Sequence, residues 1–194
     1  REEADLTKSL VHPYVPRFPR HVSYDLVLFG SWRRKGVYVG EKQIASPGSY
    51  PVAGFNFAPM YNLNYKLRFG VSLDGVYDGS ANVYTEDALV EYDAGSGSSR
   101  RKFLVPGIQN QLALGLSGRA EYVMPFFTIG VGLGTNVLGR GNLRGLYQVF
   151  ALKINVTRSS FLHIGYNLQD FQTPNYLMLG LGFRFNNKYP KVRH

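Results

Sequence analysis

Cysteine is absent from the 194 residues, which excludes disulfides and thiolate metal centres. A run of about 18 apolar residues is missing too, so no transmembrane helix can be read. Acidic residues are scarce beside basic ones, 13 against 22, leaving a formal charge of +9. That balance invites a nucleic-acid partner, but no basic helix or aromatic base-stacking platform can be placed, and the class is set aside. His12, His21, His163 and His194 match no metal-ligand spacing, and no cofactor is expected. What the chain has in quantity is glycine, tyrosine and phenylalanine, at 22, 14 and 13 residues.

Their arrangement is periodic. Over 177–185, Leu177, Leu179, Leu181, Phe183 and Phe185 fall on one face, and Met178, Gly180, Gly182 and Arg184 on the other. With a side-chain period of two, one face of such a strand wants hydrocarbon while the other tolerates small or charged groups. Over 65–74, Tyr65, Leu67, Phe69, Val71 and Leu73 alternate with Lys66, Arg68, Gly70, Ser72 and Asp74. Over 126–137, Phe127, Ile129, Val131, Leu133 and Val137 oppose Thr128, Gly130, Gly132, Gly134 and Asn136. Less regular alternation at 22–32, 50–61, 107–122, 146–156 and 161–168 completes a set of eight strands. Each is near the length of about 9–11 residues that crosses a bilayer at a tilt.

The connections alternate as well. Those at 62–64, 123–125 and 157–160 are short, those at 33–49 and 78–106 long, and those at 139–145 and 169–175 intermediate. Short turns at one end and longer loops at the other are the pattern of outer-membrane barrels. The expected fold is therefore all-β, an eight-stranded antiparallel transmembrane barrel in a Gram-negative outer membrane, with both termini periplasmic. The chain opens at Arg1 without an initiator Met or an apolar signal core, so a mature form whose export signal has been removed is expected. Residues 1–21, with Pro13, Pro16 and Pro19, read as an extended periplasmic leader, 22–185 as the barrel and 186–194 as a basic periplasmic tail.

Eight strands enclose only enough space for side chains. The inward positions Asp25, Lys66, Arg68, Asp74, Arg119, Glu121, Lys153 and Arg184 are therefore expected to pair with one another and plug the lumen. Gly130, Gly132, Gly134, Gly180 and Gly182 would give the long cationic side chains room. The Gly130-Val-Gly132-Leu-Gly134 spacing is no nucleotide loop, because no helix follows it. A second set of cations, Arg33, Arg34, Lys35, Arg100, Arg101, Lys102, Arg140 and Arg144, falls where the long loops begin. There it would face lipopolysaccharide phosphates, or form a solvated rim. The 79–102 stretch, with Glu86, Asp87, Glu91, Asp93 and a Gly/Ser tract, reads as a mobile external loop.

The run Leu152-Lys153, then Phe161-Leu162-His163-Ile164-Gly165-Tyr166-Asn167, then Pro174-Asn175 and the final strand to Phe185 resembles the C-terminal part of the PagL-type lipid A 3-O-deacylases. The resemblance covers about the last quarter of the chain. It implies an eight-stranded outer-membrane barrel that removes an ester-linked acyl chain from lipid A with a Ser/His/Glu arrangement on its lipid-facing wall. The family's His-x-Ser-Asn signature falls on His163, Ile164, Gly165 and Tyr166, so glycine stands where the nucleophile belongs. No Glu follows. A triad needs a hydroxyl within reach of the imidazole and a third group to fix its tautomer.

His163 is the one candidate catalytic residue. Its simplest reading is a luminal histidine bonded to Asn167 or Tyr147; a rearranged site would recruit Asp170 and a serine such as Ser117. The expected function is a non-catalytic structural or accessory subunit of an outer-membrane protein assembly, and the alternative is a lipid A 3-O-deacylase-like esterase. A diffusion channel is disfavoured by the charged lumen. Expected partners are outer-membrane lipid, lipopolysaccharide and other outer-membrane or periplasmic proteins, with no nucleic acid.

Overall fold

A strand with one apolar face and one polar face can satisfy its backbone in hydrocarbon only if the sheet closes on itself and leaves no edge. The computed structural model describes residues 17–33, 36–39, 42–45, 49–81, 84–92, 99–104, 107–139, 145–169 and 173–189. Its strands are β1 (His21–Arg33), β2 (Gly36–Val39), β3 (Lys42–Ala45), β4 (Tyr50–Asn62), β5 (Leu67–Asp78), β6 (Tyr84–Tyr92), β7 (Ser99–Leu104), β8 (Leu112–Val123), β9 (Phe127–Leu138), β10 (Leu146–Asn155), β11 (Ser160–Gln169) and β12 (Thr173–Phe185). A closed barrel runs β1-β12-β11-β10-β9-β8-β5-β4, and β4 pairs back onto β1. Every pairing is antiparallel.

The period of two decides which side chains face out. Leu28, Phe69, Val71, Leu116, Val131, Leu133, Phe150 and Leu181 are exposed along the wall. A belt of this size on a water-soluble protein would be a sticky patch; on a barrel it is the hydrocarbon face. The opposite parity is buried. Val27 and Phe29 follow Ser23 and Asp25 inward, because β1 keeps its alternation to the end even where both faces are apolar. Phe29 then joins Val52, Tyr147, Val149, Ala151, Tyr176 and Met178 in an apolar cluster.

The structure moves several expected boundaries. The third barrel strand begins at Leu67, because Asn64 Oδ1 accepts from the backbone N–H of both Lys66 and Leu67 at 2.8 Å each and holds 63–66 in the turn. The fourth begins at Leu112, since Ile108–Asn110 forms a 3-10 turn and Gln111 Nε2 donates to the Gly79 carbonyl at 2.9 Å. The last starts at Thr173, four residues before the expected Leu177. In β4 the ladder to β5 omits Ala58 and Pro59, then resumes in the same register at Met60–Gly70; proline has no N–H to give. The two long connections carry hairpins, β2 with β3 and β6 with β7, where unstructured loop was expected.

Candidate functional site

Antiparallel register brings distant charges to one level of the lumen. Asp25 on β1 lies opposite Arg184 on β12, and Lys153 on β10 lies opposite His163 on β11. Asp25 meets Arg68 at 2.9 Å, Lys153 at 2.8 Å and Arg184 at 3.0 Å. Glu121 meets Lys153 at 2.6 Å and Arg68 Nε at 3.3 Å. The Phe161 ring lies beneath two of these cations, 5.0 Å from Lys153 Nζ and 5.2 Å from Arg184 Cζ. Two carboxylates thus hold three cations with almost no water. An unpaired ion there would cost several kcal/mol, so each partner is retained by the others.

A second cluster lies toward the loop end. Asp74 Oδ1 accepts from Asn56 Nδ2 at 2.7 Å, Ser72 Oγ at 2.6 Å and Arg119 Nη2 at 2.9 Å. Its Oδ2 accepts from Ser117 Oγ and Tyr147 Oη, both at 2.6 Å. Five donors on one carboxylate leave it no capacity to act as a base, which marks a structural anchor. Glycine makes the space: a Cβ at Gly134 would stand 2.6 Å from the Tyr147 ring, and one at Gly132 would stand 2.7 Å from Arg119 Cδ.

Lys66 is not part of either cluster. It is exposed on the turn between β4 and β5, because the Asn64 turn ends before the lumen begins. Arg33 closes β1 and Arg100, Arg101 and Lys102 lie on β7, but their side chains lie outside the described part of the structure. Arg34, Lys35, Arg140 and Arg144 fall outside the described residues, as do His12, Asp170 and His194.

His163 points into the lumen and is 2% exposed. Neither ring nitrogen has a hydrogen-bond partner among the described residues. The expected bond from Tyr147 is absent because that hydroxyl is committed to Asp74, as is Ser117. The imidazole borders a void of ≈ 10 Å³ shared with Asp25, Ser72, Arg119, Glu121 and Lys153. Position 165 is crowded by side-chain tips: a Cβ there would stand 2.7 Å from His163 Nε2 and 2.6 Å from Met178 Cε, and both tips would have to move aside. Outside, at the same level, the wall presents Leu162, Ile164 and Tyr166.

The turn end is closed by residues that alternation alone does not reveal. Phe18 packs edge-on against Tyr65 and Tyr189, at 4.8 and 5.0 Å between ring centroids. His21 Nδ1 donates to the Pro19 carbonyl at 2.7 Å and its Nε2 accepts from the Lys188 N–H at 3.2 Å, which fixes the tautomer. Arg158 Nη2 donates to the Tyr189 carbonyl at 2.5 Å. Burial pushes the Tyr189 hydroxyl above its ordinary titration range, and the oxygen has no hydrogen-bond partner among the described residues. A cavity of ≈ 530 Å³ opens between Lys66, Val123, Met124, Pro125, Arg158 and Tyr189. The signal for Tyr189 in the sequence was only an aromatic in a basic tail.

A closed eight-stranded barrel with a hydrocarbon belt and a salt-bridged lumen is an outer-membrane protein. Residues 22–187 match the family described as acyloxyacyl hydrolase, C-terminal domain, and the chain belongs to that family. No curated protein matches. Among solved structures the chain is similar to Ail, the attachment invasion locus protein of Yersinia pestis. One Ail structure, in complex with the heparin analogue sucrose octasulfate, is 12% identical with a TM-score of 0.42 over 87% of this chain and 100% of Ail. A second is 14% identical with a TM-score of 0.43 over 84% and 98%.

Proposed function

We propose that this chain is a non-catalytic member of its family, a structural or accessory subunit of a protein assembly in the Gram-negative outer membrane. The observation that carries this reading is Gly165 itself. At the one position where the family signature calls for a nucleophile the chain has no side chain, and the tips of His163 and Met178 lean over the glycine. The imidazole faces inward among cations, away from any lipid substrate, and no carboxylate among the described residues is hydrogen-bonded to it. In this reading both termini and the short turns are periplasmic, and Arg33, Arg34, Lys35, Arg100, Arg101, Lys102, Arg140 and Arg144 rim the external end, where lipopolysaccharide phosphates would be their counterions.

The second reading rests on membership of a hydrolase family. A lipid A esterase would have to assemble its nucleophile elsewhere, and His163→Ala would then abolish turnover in a barrel that still folds. Mass spectrometry of lipid A incubated with the refolded protein separates the two. Unchanged lipid A, with the barrel recovered alongside other envelope proteins under mild detergent, is expected. Loss of a hydroxyacyl chain, or a barrel that is monodisperse and alone, would count against the accessory role.

A further inference from the structure

We propose that the turn-end mouth of the barrel is a docking site for an acidic peptide segment, with apolar residues beside its carboxylates, from a periplasmic partner protein. The inference rests on the accessory reading and gives it a place on the molecule.

Charge is the first observation. The described residues of this end are 17–20, 63–66, 124–126, 156–159 and 186–189, and they carry Arg17, Arg20, Lys66, Arg158 and Lys188 without a single Asp or Glu. The lumen just inside adds no compensation, since Asp25 and Glu121 are already outnumbered by Arg68, Lys153 and Arg184. Among the described residues, an anion approaching this mouth therefore meets an excess of positive charge.

Shape and lining are the second. The ≈ 530 Å³ cavity lies within the range of specific small-ligand and side-chain pockets, about 300–1,000 Å³. Its floor is apolar at Val123, Met124, Pro125 and Tyr65, its cations are Lys66, Arg158 and Arg184, and no carboxylate lines it. The Tyr189 hydroxyl offers a donor that nothing described uses. A simple inorganic anion would leave the apolar floor unmatched; a carboxylate flanked by an aromatic or aliphatic side chain would match both parts.

Direction decides between a peptide and a lipid headgroup. By strand parity Val123 follows Glu121 inward, and Asn155 follows Lys153, so the cavity opens along the barrel axis. The bilayer lies to the side, beyond Phe126 and Phe127, which are exposed on the wall. A segment rising from below has access to the axis, whereas a phospholipid phosphate in the leaflet does not.

The test is fluorescence anisotropy of the full-length barrel in detergent with a labelled hexapeptide that alternates Glu with Phe, beside its Gln-for-Glu counterpart. Lys66 is exposed and its side chain is in no hydrogen bond or ion pair among the described residues, so Lys66→Glu should preserve folding, checked by heat-modifiable migration. The acidic peptide should bind, the amide peptide should bind about tenfold more weakly, Lys66→Glu should cost a similar factor, and rising salt should weaken both differences. Equal binding of both peptides, or indifference to Lys66→Glu, overturns the proposal. So does full displacement by phosphatidylglycerol vesicles, which would assign the site to lipid, or by equimolar inorganic phosphate, which would make it a generic anion patch. Tighter binding in the full chain carrying Glu2→Gln, Glu3→Gln and Asp5→Asn would make the chain's own acidic head the occupant and overturn it as well. Copurification distinguishes the layers of the argument. Partners retained by both wild type and Lys66→Glu sink this site but leave the accessory role, while a wild-type barrel that is always alone sinks the accessory role itself.

Discussion

At the scale of single residues, the lumen sorts its charges by how many partners each one holds. Asp25 is the counterion of three cations, and Asp25→Asn would leave Arg68 and Lys153 with Glu121 alone and take from Arg184 its carboxylate partner. A loss of about 3–5 kcal/mol is expected from uncovering buried charge, read as a shift in urea unfolding of the barrel in lipid vesicles. Asp74→Asn uncovers a single cation, Arg119, and the Ser117 and Tyr147 hydroxyls can turn to accept from the new amide, so it should cost less in the same assay. Glycines divide in the same way. A Cβ at Gly180 would stand 2.1 Å from the Leu28 carbonyl oxygen, whereas one at Gly118 has nothing nearer than 4.0 Å. Gly180→Ala should destabilise by roughly 1–3 kcal/mol through forced backbone shifts, and Gly118→Ala should be neutral. Gly165→Ser bears most directly on function: the His163 and Met178 tips can give way, so the cost should be smaller than at Gly180, and lipid A should stay intact by mass spectrometry because the serine would face the lumen.

At the scale of elements, the barrel strands were legible because a wall between hydrocarbon and a packed lumen imposes a period of two on every residue. Val131 on β9, 48% exposed, sits on the lipid side by that rule. Val131→Arg should cost about 2–4 kcal/mol near the bilayer midplane, seen as a reduced folded fraction on cold gel migration. What could not be read are the features with no such period. The β2–β3 and β6–β7 hairpins are two-stranded ribbons that lie outside the closed sheet, so the barrel wall that imposes a period of two does not extend to them. The shift of Lys66 out of the lumen came from one local event, the capture of two backbone N–H groups by Asn64, which a periodic pattern does not report. Likewise the absence of Ser and Glu beside His163 was visible in the sequence, but that His163 and Met178 close over Gly165 depends on packing between β11 and β12. Because the hairpins contribute nothing to closure, replacing 84–104 by a short glycine-serine linker should leave heat-modifiable migration unchanged.

At the scale of the whole molecule, the two ends are separate compartments. Between them stand Arg68, Phe161, Met60 and Met178, all fully buried. Among the described residues a void of ≈ 10 Å³ lies beside His163 and one of ≈ 30 Å³ toward the loop end. The first holds about one water at most, and neither provides the continuous aqueous path that a hydrated ion requires. Opening one would mean pulling Arg68 or Lys153 away from both of its carboxylates, which the low-dielectric lumen penalises heavily. The barrel should therefore show no current above the lipid baseline in planar bilayers, at either polarity. The sample must be checked for the folded band, since misfolded protein perturbs bilayers on its own. Discrete, reproducible steps from the folded wild-type barrel would mean that the ionic plug rearranges in the membrane. The mouth beside Tyr189 would then be the entrance to a pore and not a closed-bottomed site.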